Sequence, residues 1–133
     1  MASLDDPGVQ ALLAKPNYAV VSTLGEDGAI HSTVVWANVE DGRLAVNSAV
    51  GRKWPTDLQS NPAITVLIYD QSNPYDFVEV RGRAVSRLED ADGHIDRLAK
   101  KYLGADSYPF RKEGEQRITF LVDADKVVHR SQG

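Results

Sequence analysis

Apolar and polar positions along the chain change period several times, and each change marks an element. Residues 17–24 (NYAVVSTL) form a short, nearly continuous apolar run between Lys15-Pro16 and a GEDG turn at 25–28. That is the pattern of a buried strand. Residues 29–40 (AIHSTVVWANVE) read as its hairpin partner, and Asp41-Gly42 turns the chain into a third strand, RLAVNS, at 43–48. Tight glycine-containing turns make these three an antiparallel meander, because parallel neighbours need longer crossovers.

Further along, AITVLIYD (63–70) is β-branched and apolar enough for a central strand, and QSNPY (71–75) breaks it. A long strand follows, DFVEVRGRAVSRL (76–88), in which Gly82 predicts a bulge or bend. Helical spacing takes over in EDADGHIDRLAKKYLG (89–104), where Ile95, Leu98, Ala99 and Tyr102 fall on one side and Gly104 ends the run. After a loop at 105–115, QRITFLVDADKVVH (116–129) predicts a last strand. At the start of the chain, Asp5 or Asp6 caps a short helix with Pro7 in its first turn and Val9, Leu12 and Leu13 as its apolar stripe. The expectation is a single domain over 1–133, mainly β with peripheral helices: a six-stranded antiparallel barrel, closed or partly closed. Closure also removes exposed strand edges.

The segment NSAVGRKWPTDLQSNP (47–62) carries an anomaly. It reads as a strand end at Ser48, a tight corner at Gly51 and a short helix opened by Pro55, with Arg52 and Lys53 at the corner. Cations at a helix N-terminus are unfavourable by a few tenths to about 1 kcal/mol. Two of them there suggest a site for an anion, with helix N–H groups assisting. A solvated loop is an equally good account of the charges alone.

Composition narrows the chemistry. With 42% hydrophobic and 26% charged residues the chain is globular, and a net charge of −4 argues against nucleic-acid binding. It holds no apolar run of about 18 residues to span a membrane, and its acidic N-terminus lacks signal-peptide character. A cytoplasmic location is expected. The absence of cysteine excludes thiol nucleophiles, disulfides and thiolate zinc sites. His31, His94 and His129 have no partner at metal-ligand spacing, so each is read as a surface or satisfied histidine and no metal is expected. No nucleophile elbow, P-loop or dinucleotide fingerprint is present. Any chemistry then rests with a bound cofactor. Trp36, in HSTVVWAN, can wall a planar ligand or simply fill the barrel, and Glu79, Arg81 and Arg83 share a strand face where pairing is the simpler role.

The ordered set YAVVSTLGEDGAIHSTVVW, LAVNSAVGRKWPTDLQSNPAITVLI, NPYDFVEVRGRA, YLGADSYP and EQRITFLVDADKVV resembles the pyridoxamine 5′-phosphate oxidase-like, FMN-binding split β-barrel superfamily. Within it the likeness is to the flavin/deazaflavin oxidoreductase B group, whose members use coenzyme F420. The resemblance covers roughly residues 4–129. It implies a homodimer with two cofactor sites where the barrels meet. It also implies that Ser32, Thr33, Val34, Val35 and Trp36 lie along the deazaflavin ring. Asn47, Ser48, Arg52, Lys53, Trp54 and Pro55 then serve the phosphate end. The family pattern carries a second basic residue two positions after Arg52, where this chain has Trp54. Lys53 takes over that charge or phosphate affinity falls, and Trp54 is free to stack on the ring or reach the substrate pocket.

The function this implies is an F420-dependent oxidoreductase. It passes a hydride from reduced deazaflavin to a conjugated, planar or apolar small molecule. No protein acid or base is obligatory, with solvent, Ser32 or Thr33 as proton donors. Two alternatives stand beside it: an FMN-binding oxidase or reductase of the same fold, and a non-catalytic F420- or tetrapyrrole-binding protein. FMN needs only one Arg–Lys pair, whereas the polyglutamate tail of F420 favours further cations, for which Arg43, Arg81 and Arg83 are candidates. Tyr75 and Phe77 are assigned to the substrate pocket, and Tyr108 and Phe110 are further available aromatics.

Overall fold

The computed structural model describes residues 2–131. Three helices, α1 (Pro7–Ala14), α2 (Lys53–Ser60) and α3 (Ala91–Leu103), surround seven strands. The strands are β1 (Ala19–Leu24), β2 (Ile30–Val35), β3 (Ala37–Glu40), β4 (Arg43–Ala49), β5 (Ala63–Asp70), β6 (Asn73–Arg87) and β7 (Arg117–Arg130). They form one antiparallel sheet in the order β2-β1-β5-β6-β7-β4-β3.

The strand count corrects the expectation of six, and the extra strand carries the architecture. Residues 29–40 are not one strand, because β2 pairs with β1 while β3 pairs with β4 at the far edge of the sheet. Only Trp36 separates those edges along the chain, so the sheet curls into a half-barrel whose split lies at Trp36. The three-strand meander is corrected with it. The break has a local cause in α3. Tyr102 stacks on Trp36 with ring centroids 5.4 Å apart, and its Oη accepts the Ala37 amide at 3.1 Å. Lys101 Nζ donates to the Ala37 carbonyl at 2.7 Å. Side chains of a helix thus hold the backbone where the chain leaves one edge and joins the other.

Other boundaries follow local chemistry. The turn after β5 needs only Gln71 and Ser72, since Asp70 accepts from the Ser72 amide and hydroxyl, so Asn73–Tyr75 already belong to β6. Gly82 faces the bulge: between Arg81 and Gly82 the β6–β7 register skips Asp125 of β7, and a Cβ on Gly82 would lie 2.0 Å from the Asp123 carbonyl oxygen. Gly104 ends α3 at φ 71°, as a helix-capping glycine does. Inward-facing valines, Val21, Val46, Val66, Val78, Val80 and Val122, make the core with Leu44, Ile68 and Phe120. Each fully buried apolar side chain of this size contributes about 1.5–3 kcal/mol. Among the described residues no helix is long and apolar enough to cross a membrane.

Candidate functional site

The split in the barrel opens into a cleft of about 230 Å³. One side is the end of β2 with Trp36. The floor is β4 at Asn47 and Ser48, with the first turn of α2 beside it, and Ile95 and Leu98 of α3 form the back. Tyr108 and Phe110, from the loop before β7, complete an aromatic rim in which Trp36 meets Tyr108 edge-on at 6.1 Å. At the other end the cleft is cationic.

Arg117, the first residue of β7, supplies the buried charge, with its side chain only 3% exposed. Register places it opposite Ala49, next to the strand end that carries Ser48. Its Nε donates to Asn47 Oδ1 at 2.9 Å and its Nη1 to Glu115 Oε1 at 2.8 Å. The guanidinium lies 5.1 Å from the Tyr108 ring centroid. Arg52 reaches the same carboxylate from the helix side, its Nη2 3.2 Å from Glu115 Oε2. Burial pushes the Glu115 carboxyl up, but the Arg117 hydrogen bond and the charges of Arg117, Arg52 and Lys112 outweigh it and hold it below its ordinary value. Ser48 is the exception in this polar floor. Its hydroxyl is buried and has no hydrogen-bond partner among the described residues, a condition that costs about 1–3 kcal/mol unless a ligand or water completes it.

Behind the floor, Asn47 heads a satisfied network. Arg117 Nε only donates and the Ala91 carbonyl only accepts, so the amide orientation is forced: Oδ1 faces Arg117 and Nδ2 faces Ala91 O at 2.9 Å. Nδ2 also meets His94 Nδ1 at 3.2 Å, making that ring nitrogen an acceptor. The Thr119 hydroxyl sits 2.8 Å from the same nitrogen. His94 Nε2 then donates to Asn38 Oδ1 at 2.8 Å, and Asn38 Nδ2 to Glu40 Oε2 at 3.1 Å. Donors therefore point one way from Arg117 to Glu40. Burial pushes the His94 imidazole down to about 4 against the opposing pull of Glu40, so it is neutral.

The pyridoxamine 5′-phosphate oxidase family model matches residues 6–130. The chain belongs to this family. It is a family that binds flavin or related cofactors. Among solved structures, an F420 reductase is similar at 21% identity and a TM-score of 0.77, over 90% of this chain and 94% of that one. General stress protein 26 from Bacillus anthracis str. Sterne is 21% identical with a TM-score of 0.70, covering 92% and 91% of the two chains. A conserved hypothetical protein from Mycobacterium tuberculosis is 17% identical with a TM-score of 0.71, covering 98% and 85%. At these identities the likeness is one of fold. No curated protein matches the chain.

Within the family fold the residues expected at the site divide. Thr33, Val34, Val35, Trp36, Asn47, Ser48, Arg52 and Trp54 all line the cleft. Ser32 does not; its hydroxyl meets Ser22 Oγ at 3.1 Å across the β1–β2 pair. Lys53 also turns away, to a 3.0 Å ion pair with Asp57, whose other oxygen accepts from Thr23. Pro55 is buried in the body of α2, in its third position rather than its first. Trp54 shows the cleft one edge while its ring packs 5.4 Å from Phe120 in the core. Tyr75 is 70% exposed and Phe77 pairs with Tyr69 and Arg130, both outside the cleft lining. Arg43 and Arg81 pair with Asp123 and Glu79.

Arg117 and Glu115 have no counterpart in the sequence reading. The available signal was an arginine heading an apolar run, RITFLV, in a strand that is otherwise buried. Tyr18, Ile95 and Leu98 join the site through helix and sheet packing alone.

Proposed function

We propose that this cleft holds the ring and phosphate of coenzyme F420 and that the protein is an F420-dependent oxidoreductase acting on a conjugated, planar or apolar acceptor. One observation carries the reading: an aromatic-walled cleft ends at two arginines and a buried serine hydroxyl that has no partner among the described residues. The donor set fits a phosphate, with Arg52, Ser48 and the first turn of α2 around it. Thr33, Val34 and Val35 flank the ring, and Trp36 and Tyr108 exclude water from its face. When bound, such a cofactor supplies the hydride. Thr33 is the one β2 hydroxyl lining the cleft, and it or solvent donates the accompanying proton.

A cleft of about 230 Å³ is smaller than the roughly 300–1,000 Å³ usual for sites that enclose a small molecule. A second copy of the chain supplies the missing wall in this reading. Val34, 65% exposed at the cleft, and Ile30, 73% exposed at the other end of edge strand β2, give it apolar surface to cover.

FMN is the second reading, favoured by the pairing of Lys53 with Asp57 and of Arg43 and Arg81 with acids. Those contacts leave Arg52 and Arg117 as the cations of the cleft, a number that suits one phosphate better than a long acidic tail. Titrating the protein with F420 and with FMN, following cofactor fluorescence, separates the two. Saturable preference for F420 is expected. Preference for FMN moves the assignment to the oxidase branch, and binding without turnover of any acceptor makes the protein a carrier. Binding of neither removes the cofactor reading.

A further inference from the structure

Glu115 joins the two arginines of the cleft with one oxygen to each, 2.8 Å to Arg117 and 3.2 Å to Arg52. The two partners differ in how firmly they are held. Arg117 is fixed by Asn47, by Glu115 and by the Tyr108 ring. Among the described residues, none accepts from its second terminal nitrogen, Nη2. Arg52 makes a single longer contact from a side chain that is 48% exposed, on a residue that provides only backbone to the start of α2. A carboxylate bridging two guanidinium groups has the charge and spacing of a bound oxyanion. It lacks a third oxygen, and a further donor of the floor, Ser48 Oγ, has no partner among the described residues.

We propose that Glu115 is a resident competitor for the anion site and that Arg117 is a ligand-binding residue of it. An entering phosphate monoester takes Arg52 from Glu115 and accepts from Arg117 Nη2 and Ser48 Oγ, while Glu115 keeps Arg117 Nη1. A phosphate has an oxygen for each of these donors, whereas a carboxylate ligand only duplicates what Glu115 already provides. The device selects three-oxygen dianions over carboxylates. This rests on the cleft being an anion site, although not on which cofactor bears the phosphate.

Inorganic phosphate and acetate are the probes, read by the shift in melting temperature of the full chain across a titration. Phosphate should stabilise the unaltered protein and acetate should not. In Glu115→Gln the internal competitor is neutral, and apparent phosphate affinity should rise about threefold to tenfold, the range expected for removing a partly exposed ion pair. Glu115→Ala should become sensitive to acetate, which refills the vacated position. If either variant folds poorly, Glu115→Asp withdraws the carboxylate by one methylene and should still raise phosphate affinity. Unchanged or weaker phosphate binding in these variants, acetate acting alike on all of them, or no phosphate effect on any, overturns the proposal. Failure of F420 and FMN to bind, with this phosphate pattern intact, removes the cofactor reading and leaves the anion device standing.

Discussion

Asn47 and Ser48 are neighbours on β4, and they belong to opposite regimes. Every hydrogen-bonding group of the Asn47 side chain is engaged by Arg117, Ala91, His94 or Thr119. The Ser48 hydroxyl, equally buried, is engaged by none of the described residues. Alternation along the strand puts the two side chains on opposite faces, Asn47 with Thr119 and Arg117 beneath α3, and Ser48 with the core residues Val46 and Ile118. The contrast separates a polar group tied into the structure from one left without a partner among the described residues. Burial and residue type alone do not distinguish them.

The strongest way to break this contrast is Asn47→Ala. It strands the Arg117 Nε–H and the Ala91 carbonyl in a buried setting, and the expected loss is about 4 kcal/mol of folding stability. Urea denaturation checks it; a loss below about 1 kcal/mol would place Asn47 with the surface polar residues instead.

His94 sharpens the same side of the comparison through pH. Its imidazole titrates near 6.5 ordinarily and near 4 in the folded chain. Because the folded value is depressed, the unfolded chain binds the extra proton between those limits. Stability is complete above pH 6.5 and falls as pH drops toward 4, by about 3 kcal/mol in total. His94→Gln should be less stable at neutral pH and lose this slope. Equal slopes in the two proteins would assign the acid sensitivity to another group.

On the cleft side the signs reverse. Arg52→Ala removes an exposed cation with one long contact, so stability should change by less than about 0.5 kcal/mol. Phosphate or cofactor binding should weaken by about 2 kcal/mol, near thirtyfold, the scale of a charge-assisted hydrogen bond. Unchanged affinity would sink the clamp. Ser48→Ala carries the smallest expected effect on folding, neutral to about 0.5 kcal/mol stabilising, because an orphan hydroxyl leaves the interior. Ligand affinity should nonetheless drop severalfold. A loss of stability in the free protein would mean that Ser48 has a structural partner after all.

Much of this molecule is legible in its sequence. Period-two and helical patterns located all three helices and most strand spans, Gly82 announced the irregularity in the β6–β7 pair, and the corner at Gly51 marked one end of the cleft. The break at Trp36 was not legible, because HSTVVWANVE has unbroken strand character and the interruption comes from Tyr102 and Lys101, over sixty residues away. Lys53 looked equivalent to Arg52 until the buried Asp57 carboxylate claimed it through helical i,i+4 spacing. Tyr75 and Phe77 have the chemistry of a pocket wall but lie on β6 outside the cleft lining.

By itself, then, the sequence determined what local physics can determine: where the chain must be extended or helical, where glycine must turn it, and that basic residues crowd a helix start. Which buried polar groups neutralise one another is a matter of strand register between β4 and β7. That register alone brings Arg117 and Glu115 to the corner that holds Arg52 and Ser48. Hydrogen bonds reach only a few ångströms and screened charges about 10 Å, so partners distant in sequence acquire meaning only once the sheet has curled and brought them together.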